Sequence, residues 1–191
     1  MGESQISRVL ILYTGGTIGM KITPRGYAPV KGFLQQQLFS MPQFHDPTQD
    51  ELTTPPSNLG QRIRYEIKEY NPLLDSVNMQ FQDWAKIATD IEENYDRFDA
   101  FIVLHGTDTM AYATSALSFM LVNLSKPVIV TGSQLPLSEI RNDAATELDK
   151  LVLLLADNPN IQIELSSHTD SRGTDEYNIR LSNKRNEATQ V

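Results

Sequence analysis

Short apolar runs alternating with stretches of helical periodicity constrain the fold of this 191-residue chain more than any other feature. Val9 to Tyr13 (VLILY), Ala100 to Leu104 (AFIVL), Pro127 to Val130 with Thr131, and Ile161 to Leu165 each have the length of one strand. The first three are too continuously apolar to leave a face in water. Arg62 to Tyr70 (RIRYEIKEY) alternates instead, as a half-exposed strand does. Phe81 to Phe98 places Trp84, Ile87, Ile91 and Tyr95 on one helical stripe, and a helix rich in Ala, Leu and Met follows HGTDTM as far as Leu121. Further helices are expected over about Ala145 to Leu155 and Asp175 to Ala188. A strand that reaches a parallel neighbour through a helix crosses over right-handed, so these units predict an α/β fold. The sheet is parallel and doubly wound, Rossmann-like or flavodoxin-like, with helices on both faces.

Ligands of such sheets gather at the carboxyl ends of the strands. Two hydroxyl-rich turns, TGGT at 14 to 17 and HGTDT at 105 to 109, fall there. The stretch from Lys21 to Gly60 reads as a long loop, a length that points to function or to disorder. Within it Tyr27 stands ten residues beyond Thr17. A lid could carry its hydroxyl back over the first turn; equally, the ring could pack the loop onto the body.

Composition narrows the partners. The formal net charge is −8 and the pI about 4.8, which opposes a polyphosphate partner unless a basic patch outweighs it. The most basic stretch, Arg62, Arg64 and Lys68, fits a solvated strand face, so no nucleic-acid partner is expected. There are no cysteines and only three scattered histidines, which removes thiolate chemistry and gives no metal site. MGESQISRVL lacks a signal-peptide core, and no apolar run reaches the ~20 residues that span a bilayer. The expectation is a cytoplasmic chain with no membrane partner.

The first turn lacks both the Walker lysine and the G-x-G-x-x-G spacing, so its glycines argue weakly for phosphate. A nucleophile fits better: Thr17 would open a helix, whose free N–H groups can hold an oxyanion. A threonine hydroxyl needs a neighbour to take its proton. HGTDT offers Thr107 as a second hydroxyl and Asp108 as an acceptor for a substrate ammonium. Singly, these two would also serve as a helix N-cap and a first-turn dipole partner.

Taken together, YTGGTIGM at 13 to 20, YNPLLDSVNM at 70 to 79, LHGTDTMAYATSALSFML at 104 to 121 and KPVIVTGSQLPLSEIRND at 126 to 143 resemble the bacterial-type L-asparaginases, especially their cytoplasmic type I branch. The likeness is continuous from about Val9 to Asp143. It implies that Thr17 is the nucleophile, Tyr27 the lid tyrosine and Thr107 the second catalytic threonine. Ser76, flanked by Asp75 and Val77, would bind the substrate α-carboxylate, and Asp108 its α-amino group. The implied reaction converts L-asparagine to L-aspartate and ammonia with no metal and no organic cofactor, in an assembly built as a dimer of dimers.

Past Asp143 the family continues to an Arg-Gly turn followed closely by a lysine that activates the second threonine. Here Arg172-Gly173 leads into TDEYN, with no lysine before Lys184. Thr146 to Arg185 resembles instead the middle of an OmpA-like peptidoglycan-binding domain. In that family an aspartate and an arginine grip the diaminopimelate of the peptide stem, and they match Asp170 and Arg185; the same two residues on a strand-to-helix unit also make an ordinary ion pair. The expected organisation is an asparaginase-like α/β domain over 1–145 and an OmpA-like βα piece over 146–191, which could complete the same sheet. A junction at about 143–146 would then join two unrelated parts. The expected function is an asparaginase-type amidohydrolase weakened by the missing lysine and C-terminal domain. The alternatives are a non-catalytic, periplasmic peptidoglycan-binding fragment and an inactive chimera.

Overall fold

Every residue of the first strand, β1 (Ile6–Gly15), is buried from Val9 onward. The computed structural model describes residues 6–58 and 60–139. Successive side chains of a strand point to opposite faces, so β1 feeds two cores at once. Val9, Ile11 and Tyr13 pack on one face with Leu34, Leu38, Phe44, Leu52 and Tyr65. Leu10 and Leu12 pack on the other with Ile87, Ile91, Phe101, Val103, Leu117 and Val128. Each fully buried Leu or Ile stabilises the fold by about 1.5–3 kcal/mol relative to exposure. That is why the apolar run tolerates no polar alternation.

The remaining elements are β2 (Met20–Thr23), β3 (Gly26–Pro29), α1 (Phe33–Ser40), β4 (Arg62–Leu74), α2 (Phe81–Asn94), β5 (Ala100–Leu104), α3 (Met110–Met120) and β6 (Val128–Thr131). The main sheet has the order β4-β1-β5-β6, and every pairing in it is parallel. α1 contributes Leu34 and Leu38 to one face, whereas α2 and α3 contribute Ile87, Ile91 and Leu117 to the other. This is the expected parallel α/β sheet with helices on both faces. Strand order reverses between β1 and β5, and at such a switch point a doubly wound sheet leaves a crevice at the carboxyl ends.

Most expected elements fall where the sequence puts them. β5 spans Ala100–Leu104, as read, and β4 runs four residues beyond Tyr70 to Leu74. α2 stops at Asn94 rather than Phe98. Its end is set by Tyr95, whose hydroxyl accepts from the backbone of Ser125 at 2.7 Å and of Lys126 at 3.1 Å, and by Asp99, whose N–H binds Arg8 O at 2.7 Å to start β5. Arg62, Arg64 and Lys68 each hold a carboxylate, on Asp46 at 2.7 Å, Glu51 at 2.9 Å and Asp90 at 2.8 Å.

The stretch from Lys21 to Gly60 is more ordered than a long loop. It holds the antiparallel β2–β3 hairpin and α1, and the chain beyond is tied to β4 by the Thr53–Arg64 bridge and two of those ion pairs. TPRG at 23 to 26 makes the hairpin turn: Pro24 fixes its backbone, and Thr23 Oγ accepts from Arg25 N–H at 3.2 Å. No helix among the described residues is long and apolar enough to cross a membrane. The helices expected at 145–155 and 175–188, the strand at 161–165, the Arg172 to Lys184 stretch, the junction at 143–146 and the whole 146–191 unit with Asp170 and Arg185 lie outside the described residues.

Candidate active site

Four strand ends meet with almost no side chain between them. At the end of β1, Gly16 has φ 87°, a conformation that L residues rarely adopt. A Cβ there would sit 2.8 Å from both Cα and N of Gly106. A Cβ on Gly106 would sit 2.6 Å from Ser76 Oγ, at the end of β4, and one on Gly132, at the end of β6, would collide with His105 O. Thr14, fully buried, adds a hydrogen bond from its hydroxyl to Leu104 O at 2.9 Å. The glycines of TGGT therefore let backbones touch across the switch point, a role independent of any phosphate.

This packing sets the candidate residues. Thr17, half-buried, begins a single 3-10 turn (Thr17–Gly19) in which its carbonyl accepts from Met20 N–H. The sequence reading expected a helix to start here. The helix does not form because Gly19 is pressed against the Tyr13 ring and the chain leaves extended at Met20 into β2. Any free N–H groups near Thr17 belong to one tight turn, without an α-helix macrodipole behind them.

Asp75 accepts from Val77 N–H at 3.2 Å and so caps the next 3-10 turn, Ser76–Asn78. That turn leaves Asp75 and Val77 exposed and Ser76 only 2% exposed, its Oγ without a partner among the described residues. Thr109 Oγ donates to Ser76 O at 2.7 Å, which ties the β4 and β5 turns together. Thr109, not Thr107, is the residue that precedes α3, and the first turn of α3 holds no acidic residue. The capping alternative for Thr107 is thereby set aside, and Asp108 stands one residue before the cap rather than in the first turn. Thr107 is half-buried and Asp108 exposed, both on the turn that backs onto Gly16. Tyr27 lies on β3, opposite Ile22, 45% exposed, in the hairpin that packs beside the Thr17 turn.

Two residues were not singled out from sequence. Gln134, three residues past β6, donates from Nε2 to Thr107 Oγ1 at 2.9 Å. The signal was available in GSQ, a polar turn at a third strand end. His105 is fully buried, with Nδ1 2.7 Å from Gly106 O. A carbonyl only accepts, so Nδ1 carries the hydrogen and Nε2 is a bare acceptor. Burial holds this imidazole below its usual range, and the bond to Gly106 only partly offsets that. With Tyr13 Oη and Ser76 Oγ, His105 Nε2 makes three buried polar atoms around these strand ends that have no partner among the described residues; others of the kind lie elsewhere, on His45, Thr53, Arg64 and Trp84. Such atoms are few in folded proteins, and a bound ligand or water is one way to satisfy them. Among the described residues no group of three or more His, Asp or Glu could hold a metal ion.

Residues 8–166 match the family model described as Asparaginase, N-terminal. The chain belongs to the asparaginase N-terminal family. It is 48% identical over 161 residues to L-asparaginase 1 of Escherichia coli (strain K12), covering 84% of this chain and 44% of the relative. The crystal structure of L-asparaginase I from Vibrio cholerae is similar with a TM-score of 0.60 and 49% identity, over 77% of this chain and 40% of that one. A structure named as a probable cytoplasmic L-asparaginase, from Campylobacter jejuni, gives 0.50 and 26%, over 78% and 40%. The chain thus spans less than half the length of these asparaginase relatives. The family match contains all seven candidate residues from Thr17 to Asp108 and runs through the expected junction at 143–146 to residue 166.

Proposed function

We propose that this chain carries the nucleophile half of an L-asparagine amidohydrolase. The observation that carries the proposal is the backbone contact of Gly16 with Gly106, which sets Thr17 and Thr107 on abutting turns at the switch point. In this reading Thr17 Oγ attacks the side-chain amide carbonyl, its proton passes to the departing nitrogen, ammonia leaves, and water releases L-aspartate. Ser76, with Asp75 and Val77 beside it, takes the α-carboxylate, Asp108 takes the α-ammonium, and Tyr27 closes from the hairpin. Gln134 donates into Thr107 Oγ, which leaves the hydroxyl hydrogen of Thr107 free to point into the site.

No lysine stands among the residues at the four strand ends, 15–19, 75–78, 105–109 and 132–134. A positioned base contributes about 10²–10⁴-fold, so turnover should be slow by that order without one. The reaction as written needs no cofactor. Two names support the remaining expectations: relatives called L-asparaginases point to a small-molecule substrate, and the one called cytoplasmic points to that compartment. Assembly into a homo-oligomer follows from the family resemblance, and sedimentation reads it. The family match overlaps the OmpA-like segment from 146 to 166, so the proposal rests on the asparaginase reading and not on a peptidoglycan-binding one.

The test is ammonia release from L-asparagine by the whole chain. Wild type should release it slowly, and Thr17→Ala should reduce the rate to background while leaving the unfolding midpoint within a degree or so. Equal release by the two proteins would remove Thr17 from the mechanism.

A further inference from the structure

The β2–β3 hairpin enters and leaves the body at two places, and both rest on one cross-strand pair. Upstream, Gly19 lies against the Tyr13 ring so closely that a Cβ there would collide with the ring and its hydroxyl. Downstream, the N–H of Gly32 points at Glu69 and is 3.0 Å from each carboxylate oxygen. Tyr13 and Glu69 face each other in the β1–β4 register, at the ends of these strands nearest the site. The Glu69 charge also helps, after burial, to push the Tyr13 phenol above its ordinary range, which agrees with their closeness.

Gly32 is the residue before α1, with φ 74°, and its carbonyl accepts from Gln36 N–H at 3.1 Å. It has no side chain to cap the helix, and the first turn of α1 has no acidic residue. Glu69 supplies from another strand both things the helix lacks: an acceptor for a free N–H and a negative charge at its amino end. Lys21 Nζ lies 5.5 Å from the centre of the Phe33 ring, so β2 is tied to the same first turn. Few other described contacts hold the hairpin, and Ile22, Tyr27 and Val30 are exposed.

We propose that Glu69 is a positioning residue that fixes the Tyr27 hairpin beside the Thr17 turn, by clamping the amide of Gly32 at the hairpin's downstream root. Its catalytic consequence rests on the asparaginase reading above; the clamp itself does not. Removing the carboxylate frees the root, so the hairpin samples more positions and Tyr27 is presented to substrate less often.

Hydrogen exchange on the whole chain tests it. In Glu69→Ala the amides of residues 20–32 should exchange about tenfold faster, the scale of one lost charge-assisted hydrogen bond. Those of β5 should be unchanged. Glu69→Gln keeps an acceptor in place and should restore most of the protection. The Michaelis constant for L-asparagine should rise in Glu69→Ala more than the turnover number falls, with Glu69→Gln again intermediate. Unchanged exchange at 20–32, an equal rise in β5, or no recovery in Glu69→Gln would each overturn the clamp. Exchange is read whether or not ammonia is released, so a failure of the clamp and a failure of the asparaginase reading appear in different measurements.

Discussion

Thr17 and Tyr27 are ten residues apart and are held by different means. Thr17 follows a glycine whose backbone touches the backbone of another strand end, beneath a sheet buried on both faces. Tyr27 stands on a four-residue strand of an exposed hairpin whose downstream root depends on a few polar contacts. Close-packed backbone has no soft direction in which to yield, whereas a hydrogen bond at the surface can open at a cost of a few kcal/mol. The molecule thus separates a rigid floor, which carries Thr17 and the turns of Ser76 and Thr107, from a movable wall that carries Tyr27.

One substitution made in both regions measures that difference. Gly16 and Gly26 both have positive φ, 87° and 102°, so Ala is strained at either by about 1–2 kcal/mol. Among the described residues a Cβ at Gly26 meets nothing within 4 Å, while at Gly16 it meets Gly106. Gly26→Ala should therefore cost about 1–2 kcal/mol in urea unfolding, and Gly16→Ala about 2–5 kcal/mol once overpacking is added. Ammonia release should vanish in Gly16→Ala at temperatures where the protein is still folded. Similar costs at the two sites would mean that the floor yields as easily as the hairpin.

A second contrast uses pH. Burial holds His105 below its ordinary value of 6.5, so its folded form resists a proton that the unfolded chain accepts. The stability it contributes is complete above about pH 6.5 and is lost as pH falls from there towards the folded value. Unfolding free energies measured from pH 8 down to 5 should decline below 6.5, and His105→Gln should flatten that decline. Asp46 and Asp90 sit below the usual carboxylate range and titrate under pH 3.8, outside this window. Hairpin exchange, corrected for its intrinsic pH dependence, should show no inflection there, because His105 belongs to the floor.

The same division explains what could be read from sequence. The floor was legible because its physics is local: a buried parallel strand must be continuously apolar, as VLILY and AFIVL are, and α2 must repeat Trp84, Ile87 and Ile91 on one stripe. Strands in that order put TGGT and HGTDT at one edge without further information. The hairpin was not legible, because MKIT and GYAP are too short to show alternation and β3 ends in a proline. A threonine before Ile-Gly-Met suits a helix start and a 3-10 turn alike, so the sequence predicts the first where the structure has the second. Gly19 decides between them through its packing on Tyr13, a tertiary contact.

Gln134 gives the smallest effect on stability and the sharpest test of how the floor supports chemistry. It is exposed, lies in no regular element, and reaches a threonine 27 residues away in sequence, so GSQ marks a polar turn but no spacing rule names Thr107 as its partner. Its one described side-chain bond ends on Thr107 Oγ. Gln134→Leu should change stability by less than about 0.5 kcal/mol, as surface substitutions do. Turnover should nevertheless drop about tenfold, equivalent to about 1.4 kcal/mol in the barrier, because the Thr107 hydroxyl loses the donor that orients it. Gln134→Glu should lose as much or more, since a carboxylate would accept the Thr107 hydrogen and turn it away from the substrate. Full activity in both variants would show that backbone packing alone orients Thr107, and the floor would then need no polar support from β6.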